Sequence, residues 1–153
     1  MPAPAAGSGS AAVAVGYDGS ESSQLAVRWA ADHAAIRGLP LRVVHAWVWP
    51  MFTKDLGPVR GVAGSGLRHS AETILAEGVG LVHGVDPGLA VDGVMEAGLP
   101  AQVLRQAAAG ASLLVVGSRG IGGVLGHLAG SVCLDLAGAA PCPLMVVRRP
   151  HLP

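Results

Sequence analysis

The stretch "LLVVGSRGIGGVLGHLAGSV", residues 113 to 132, sets an unbroken apolar run against a backbone carrying six glycines between positions 117 and 130. Leu113 to Val116 has no polar break, which suits a strand buried on both faces. Gly117 stops that strand, and a helix is expected through "SVCLDLAGAA" (131 to 140). The glycines therefore join a strand's carboxyl end to a helix N-terminus. At such a junction backbone N–H groups and the helix dipole favour an anion, and glycine lets the backbone come close to it.

Outward from this stretch the chain alternates. "AAVAVGYD" (11 to 18) is a short buried strand, and Ser20 caps a helix whose apolar positions Leu25, Trp29, Ile36 and neighbouring alanines recur at helical spacing until Gly38. "LPLRVVHAWVW" (39 to 49) is a second strand by its β-branched and aromatic content, with Trp47 and Trp49 on one face, and Pro50 opens an irregular stretch to about Gly66. Leu67 to His83 reads as a helix weakened by Gly78 and Gly80, "DPG" (86 to 88) as a turn, and 89 to 98 as a less buried strand. Proline opens a helix over 100 to 110, and "PLMVVRR" (143 to 149) is a last strand at an edge of the sheet. Strand and helix in strict alternation predict a single α/β domain built on an open, five-stranded, doubly wound parallel sheet with helices on both faces. In such sheets ligands bind beyond the strands' carboxyl ends, where the strand order reverses.

Composition narrows the partners. Ten basic and ten acidic residues cancel, so no net positive field draws the chain to nucleic acid or an anionic membrane. Cys133 and Cys142 form no CxxC pair and no metal-ligand spacing with a histidine, and Cys133, amid apolar helix residues, reads as a buried inert thiol. Two cysteines without a disulfide framework point to a reducing, cytoplasmic setting. Residues 1 to 10 read as a flexible tail without signal-peptide character, which leaves 11 to 149 as the domain.

The pattern Gly117-x2-Gly120-x9-Gly130-Ser131, together with "VGYDGSESS" (15 to 23), "VVHAW" (43 to 47), "EAGLPAQVL" (96 to 104) and "APCPLMVVR" (140 to 148), resembles the universal stress protein family in its ATP-binding branch. The resemblance implies a Rossmann-like domain that dimerises and holds ATP, with Mg2+, at the strand ends. It assigns Asp18 and the backbone of Gly16 and Tyr17 to the adenosine, and the backbone near His45 and Ala46 to the adenine edge. Gly117, Gly120 and Gly123, with Gly122 in the same loop, would line the phosphates and ribose. Gly130 and Ser131 would present N–H and hydroxyl groups to the outer phosphates. The implied dimer pairs the last strand, Leu144 to Arg148, with its copy. Two departures stand out: Ser112 replaces a common Asp before the fourth strand, and Tyr17 replaces a small aliphatic residue.

Several residues carry two readings from sequence. Asp18 is a turn or N-cap residue, or a ligand contact. Ser131 caps a helix, meets phosphate, or does both. Arg119, the one cation in the glycine loop, meets phosphate bidentately or stays solvated. His45 is a satisfied core histidine or lies at a pocket edge. The chain's one lysine, Lys54, is not in a GxxxxGK[ST] loop, and no general base is evident. Backbone donors that bind ground and transition states alike give affinity without rate, so a binder is expected. Bound ATP would order the loop and residues 50 to 66, a conformation seen by an unidentified protein partner. A slow ATPase or phosphotransferase is one alternative; a dimeric scaffold without nucleotide is the other.

Overall fold

A computed structural model of the chain describes residues 11–47, 62–118 and 131–149. Within them run β1 (Val13–Gly16), α1 (Glu21–Arg37), β2 (Leu41–Trp47), α2 (Val62–Val85), β3 (Val91–Ala97), α3 (Pro100–Ala107), β4 (Leu113–Gly117), α4 (Ser131–Ala137) and β5 (Leu144–Val147). The five strands form one sheet in the order β3-β2-β1-β4-β5, and every pairing is parallel. The chain moves outward from β1 to β3, then returns across β1 to lay down β4 and β5. Right-handed crossovers that reverse direction must change face. Accordingly α1 and α2 pack on one side of the sheet, and α3 and α4 on the other.

The central strand divides its side chains with the period of two that a pleated strand imposes. Val13, Val15 and Tyr17 enter the layer under α1 and α2, while Ala14 enters the layer under α3 and α4. Leu41, Val43 and Val115 complete the first layer; Val44, Leu114, Val103 and Leu136 complete the second. Each fully buried valine or leucine contributes about 1.5–3 kcal/mol, so these two layers dominate the stability.

Helix α1 begins where Ser20 accepts a hydrogen bond from Ser23 N–H at 3.1 Å, and it ends at Gly38, whose φ of 68° closes the last turn onto Ala34 and Ala35. Its buried face is Ala26, Val27, Ala30, Ala31 and Ala34, small side chains that bring the helix close to the sheet. Ile36, expected on that stripe, is instead 83% exposed. It lies two residues past Ala34, a rotation of about 200° around the helix. Helix α2 also departs from expectation by starting at Val62 rather than near Leu67. Once Ala71 and Val82 seat it on the sheet, each added residue gains a backbone bond without a new nucleation cost. Residues 1–10, Trp49 and 50–61 fall outside the described residues.

Strands β3 and β5 are the sheet edges. β3 exposes Asp92 and Glu96, charges that discourage a second chain from pairing there. Arg42 crosses from β2 to bond Asp92 Oδ2 at 3.4 Å and donates to the Ala107 carbonyl at 3.2 Å, placing a cation at the C-terminus of α3. Among the described residues no helix is long and apolar enough to cross a membrane.

The two helix-weakening glycines of α2 differ. A Cβ on Gly78 would meet Tyr17 Cδ2 at 2.8 Å and Val43 Cγ1 at 3.0 Å, whereas a Cβ on Gly80 meets nothing within 4 Å. Alanine gains about 1 kcal/mol of helix propensity at either site, but at Gly78 overpacking against a ring that is itself buried costs about 1–3 kcal/mol. Gly80→Ala should therefore raise the melting temperature by a few degrees and Gly78→Ala lower it. Equal stabilisation of both variants, measured calorimetrically, would show that the Tyr17 ring is not seated on α2.

Candidate functional site

The strand order reverses beside β1, between β1 and β4. β1 ends at Gly16 and β4 at Gly117, while β2 runs on beside β3 to the pair Trp47↔Ala97. The central strands thus stop short of β2, leaving a notch at the sheet's carboxyl edge. Parallel topology puts the β1–α1 turn, the end of β2, the exit of β4 and the start of α4 on this one edge.

Both glycines that end the central strands are in close contact within the fold. A Cβ on Gly117 would lie 2.5 Å from Ser22 Oγ and 2.6 Å from the Ser22 carbonyl carbon, so the first turn of α1 rests directly on that backbone. A Cβ on Gly16 would meet Leu104 Cδ2 of α3 at 3.1 Å. The Gly117 carbonyl also accepts from Cys133 Sγ of α4 at 3.2 Å. Gly117 is thereby the point where α1, β4 and α4 meet, a role that requires no ligand.

The turn from β1 into α1 is held by side chains. Asp18 Oδ1 accepts from Ser20 N–H at 2.9 Å and from Ser23 Oγ at 2.9 Å, while Asp18 N–H donates to Ser23 Oγ at 3.2 Å. Ser20 Oγ approaches Ser23 Oγ at 3.1 Å. Asp18 therefore has the turn role as a structural fact, and its carboxylate is held by the first turn of α1.

Tyr17 is 3% exposed, with its ring under α2 and its hydroxyl donating to Glu77 Oε1 at 3.3 Å. The bulk that departs from a small aliphatic thus goes into the core, where Gly78 makes room for it. Tyr17 N–H donates to the Val44 carbonyl at 2.8 Å, and the Tyr17 carbonyl accepts from His45 Nδ1 at 2.9 Å. His45 is 6% exposed. Ser112, the other departure, lies at the opposite, amino-terminal end of the strands, where its N–H donates to the Ala12 carbonyl at 2.9 Å.

Gly16, Tyr17, Asp18, His45, Ala46 and Gly117 therefore converge on one edge of the sheet, and Ser131 opens α4. Arg119, Gly120, Gly122, Gly123 and Gly130 lie outside the described residues. Among the described residues no group of three His, Cys, Asp or Glu could hold a metal ion. Cys133 is buried and Cys142 half-buried, both free thiols, and burial pushes the Cys142 thiol up from its ordinary value. Sequence reading missed Ser22, Ser23 and Gly78. Gly78 had a signal, since it shares helical spacing with Ala71, Ile74, Leu75 and Val82, whereas the contact between Ser22 and Gly117 is non-local and leaves no local pattern.

Burial, and then the neighbouring Glu77 carboxylate, hold the Tyr17 phenol above its ordinary value of 10.0. The folded state therefore keeps the proton more tightly than the unfolded one. That contribution to stability is intact below pH 10 and is lost as the pH rises through the folded value. Tyr17 is the chain's one tyrosine, so the tyrosinate absorbance reports it alone. Its titration midpoint should lie above 10 in the native protein and move down in Glu77→Gln; a midpoint at or below 10 would contradict the buried placement.

Residues 11–148 match the family model of the Universal stress protein family. A universal stress protein of Mycobacterium tuberculosis (strain ATCC 25618 / H37Rv) is 39% identical over 139 residues, covering 91% of this chain and 46% of that protein. The chain thus spans about half the length of the curated relatives it matches. Among solved structures, a universal stress protein in complex with cAMP superposes with a TM-score of 0.66 at 26% identity, over 91% of this chain and 97% of that one. The universal stress protein from Archaeoglobus fulgidus in complex with dAMP superposes with a TM-score of 0.65 at 21% identity, over 89% and 96%, a likeness of fold.

Proposed function

The chain belongs to the universal stress protein family, and on that premise we propose that it binds an adenine nucleotide, ATP with Mg2+, at the notch beside β1 and acts as a regulator. The observation that carries the reading is the reversal of strand order next to β1, with Asp18, the ends of β2 and β4 and the start of α4 gathered on that edge. The relative solved with cAMP at 26% identity supports the ligand class.

The donor set suits such a ligand. An ionised carboxylate only accepts hydrogen bonds, which suits Asp18 to the donor groups of a nucleoside, a ribose hydroxyl or the adenine amine. In this reading the end of β2 at His45 and Ala46 borders the adenine. The phosphates fall to Gly120, Gly122, Gly123, Gly130, Ser131 and Arg119. Mg2+ would arrive on those phosphates, as is usual for this ion. When bound, the nucleotide supplies charge and bulk that order the surrounding loops. The chain's own groups bind and orient it.

A second copy pairs along the β5 edge, Leu144 to Arg148, where Met145 is exposed. The free thiols suit a cytoplasmic setting.

Mass spectrometry of the material that co-purifies, followed by calorimetry with ATP, tests the reading. ATP should be retained and survive for many minutes with Mg2+. Gly120→Val and Gly130→Ala each remove charge-assisted hydrogen bonds worth about 1.5–3 kcal/mol apiece and should weaken binding by roughly a hundredfold. Unchanged affinity in both variants would remove the loop from the site, and phosphate release at about 1 s⁻¹ or faster in single turnover would make the protein an enzyme. Light scattering should give a dimer; a monomer would contradict pairing at β5.

A further inference from the structure

Hydrogen bonding between β1 and β2 ends at the Tyr17 N–H to Val44 carbonyl bond, and from there the strands part. β2 goes on pairing with β3 through His45↔Met95, Ala46↔Glu96 and Trp47↔Ala97. The Tyr17 carbonyl is the first backbone acceptor of β1 beyond the ladder, and the side chain of His45 takes it, Nδ1 to oxygen at 2.9 Å. A carbonyl only accepts, so Nδ1 carries the hydrogen and the neutral ring is the Nδ1–H tautomer. A buried imidazole thus bridges the gap where two strands separate.

Tyr17 is consequently held at every polar group and at its ring. Its N–H is on Val44, its carbonyl on His45, its hydroxyl on Glu77, and its ring fits against Gly78. The next residue is Asp18. We propose that His45 is a positioning residue of the nucleotide site: acting through the Tyr17 carbonyl, its Nδ1–H sets the direction in which the chain leaves β1 and so the placement of the Asp18 carboxylate. The inference rests on the reading of an adenine nucleotide at this edge. It gives the His45 side chain a task separate from the adenine contact of its backbone, and it locates the effect at the nucleoside rather than the phosphates.

Two substitutions separate the hydrogen bond from the volume. Leucine fills similar space without a donor, leaving the Tyr17 carbonyl buried and unsatisfied. Asparagine places its amide nitrogen near the position of Nδ1 and restores the donor. Affinities for ATP and AMP would be measured by calorimetry in the wild type, His45→Leu and His45→Asn. His45→Leu should weaken both nucleotides by the same factor, about tenfold or more, because the phosphates are not involved. His45→Asn should recover most of the loss. A simple packing role would not be rescued by asparagine.

His45→Leu at wild-type affinity, or His45→Asn as weak as His45→Leu, would overturn the inference while leaving the nucleotide site standing. A wild type that binds neither nucleotide would overturn both. The imidazole of the wild type gives a readout that needs no variant: long-range nitrogen–proton NMR should show His45 as the Nδ1–H tautomer, and the Nε2–H tautomer would overturn the assignment.

Discussion

Strand β1 has a parallel neighbour on each edge and a helix layer on each face, and every other part of the fold is arranged around that confinement. Val13, Ala14 and Val15 are fully buried, so β1 can carry no polar side chain and its backbone is satisfied only by β2 and β4. A strand so enclosed ends abruptly. The chain has to leave the sheet at Gly16, where Leu104 presses from one side and Tyr17 turns into the opposite layer. The notch at the carboxyl edge is a direct consequence, since β2 has β3 to pair with and continues while β1 does not.

The same crowding holds the elements of the carboxyl edge together. Ser22 of α1 rests on Gly117 of β4, Cys133 of α4 donates to the Gly117 carbonyl, and the Asp18–Ser20–Ser23 network closes the turn above them. Three elements distant in sequence are thereby locked at one point. The Arg149–Glu21 ion pair ties the exit of β5 to the start of α1 on the same side. It is solvent-exposed on both sides, so its share of stability is small beside the packed layers.

Much of this was legible in the sequence because it depends on local pattern. The apolar runs of β1, β2 and β4, Ser20 as a cap, Gly38 as a stop and Pro100 at a helix start are each set by neighbours within a turn or two, and the alternation of strands and helices follows from them. The sheet order was not legible, because it depends on which strands exchange hydrogen bonds across long separations. Ile36 misled because a single large apolar residue outweighed a stripe of alanines, whose small size is the property that lets α1 approach the sheet. Tyr17 was recognised as unusual, but its destination required knowing that Gly78, sixty-one residues later, faces it. Gly117 was visible as a loop glycine and hid a second reason for being glycine, the backbone of Ser22.

Nitrogen–proton correlation spectra of the protein titrated with ATP test the central claim, that the nucleotide sits at the reversal beside β1. Amide shifts should concentrate at Gly16 to Ser20, His45 to Trp47, Gly117 to Ser118 and Ser131. Ala12 and Ser112, joined at the other end of the same strands, should stay still. Shifts confined to the Ala12–Ser112 end, or to the outer faces of α2 and β3, would place the ligand elsewhere and contradict the account.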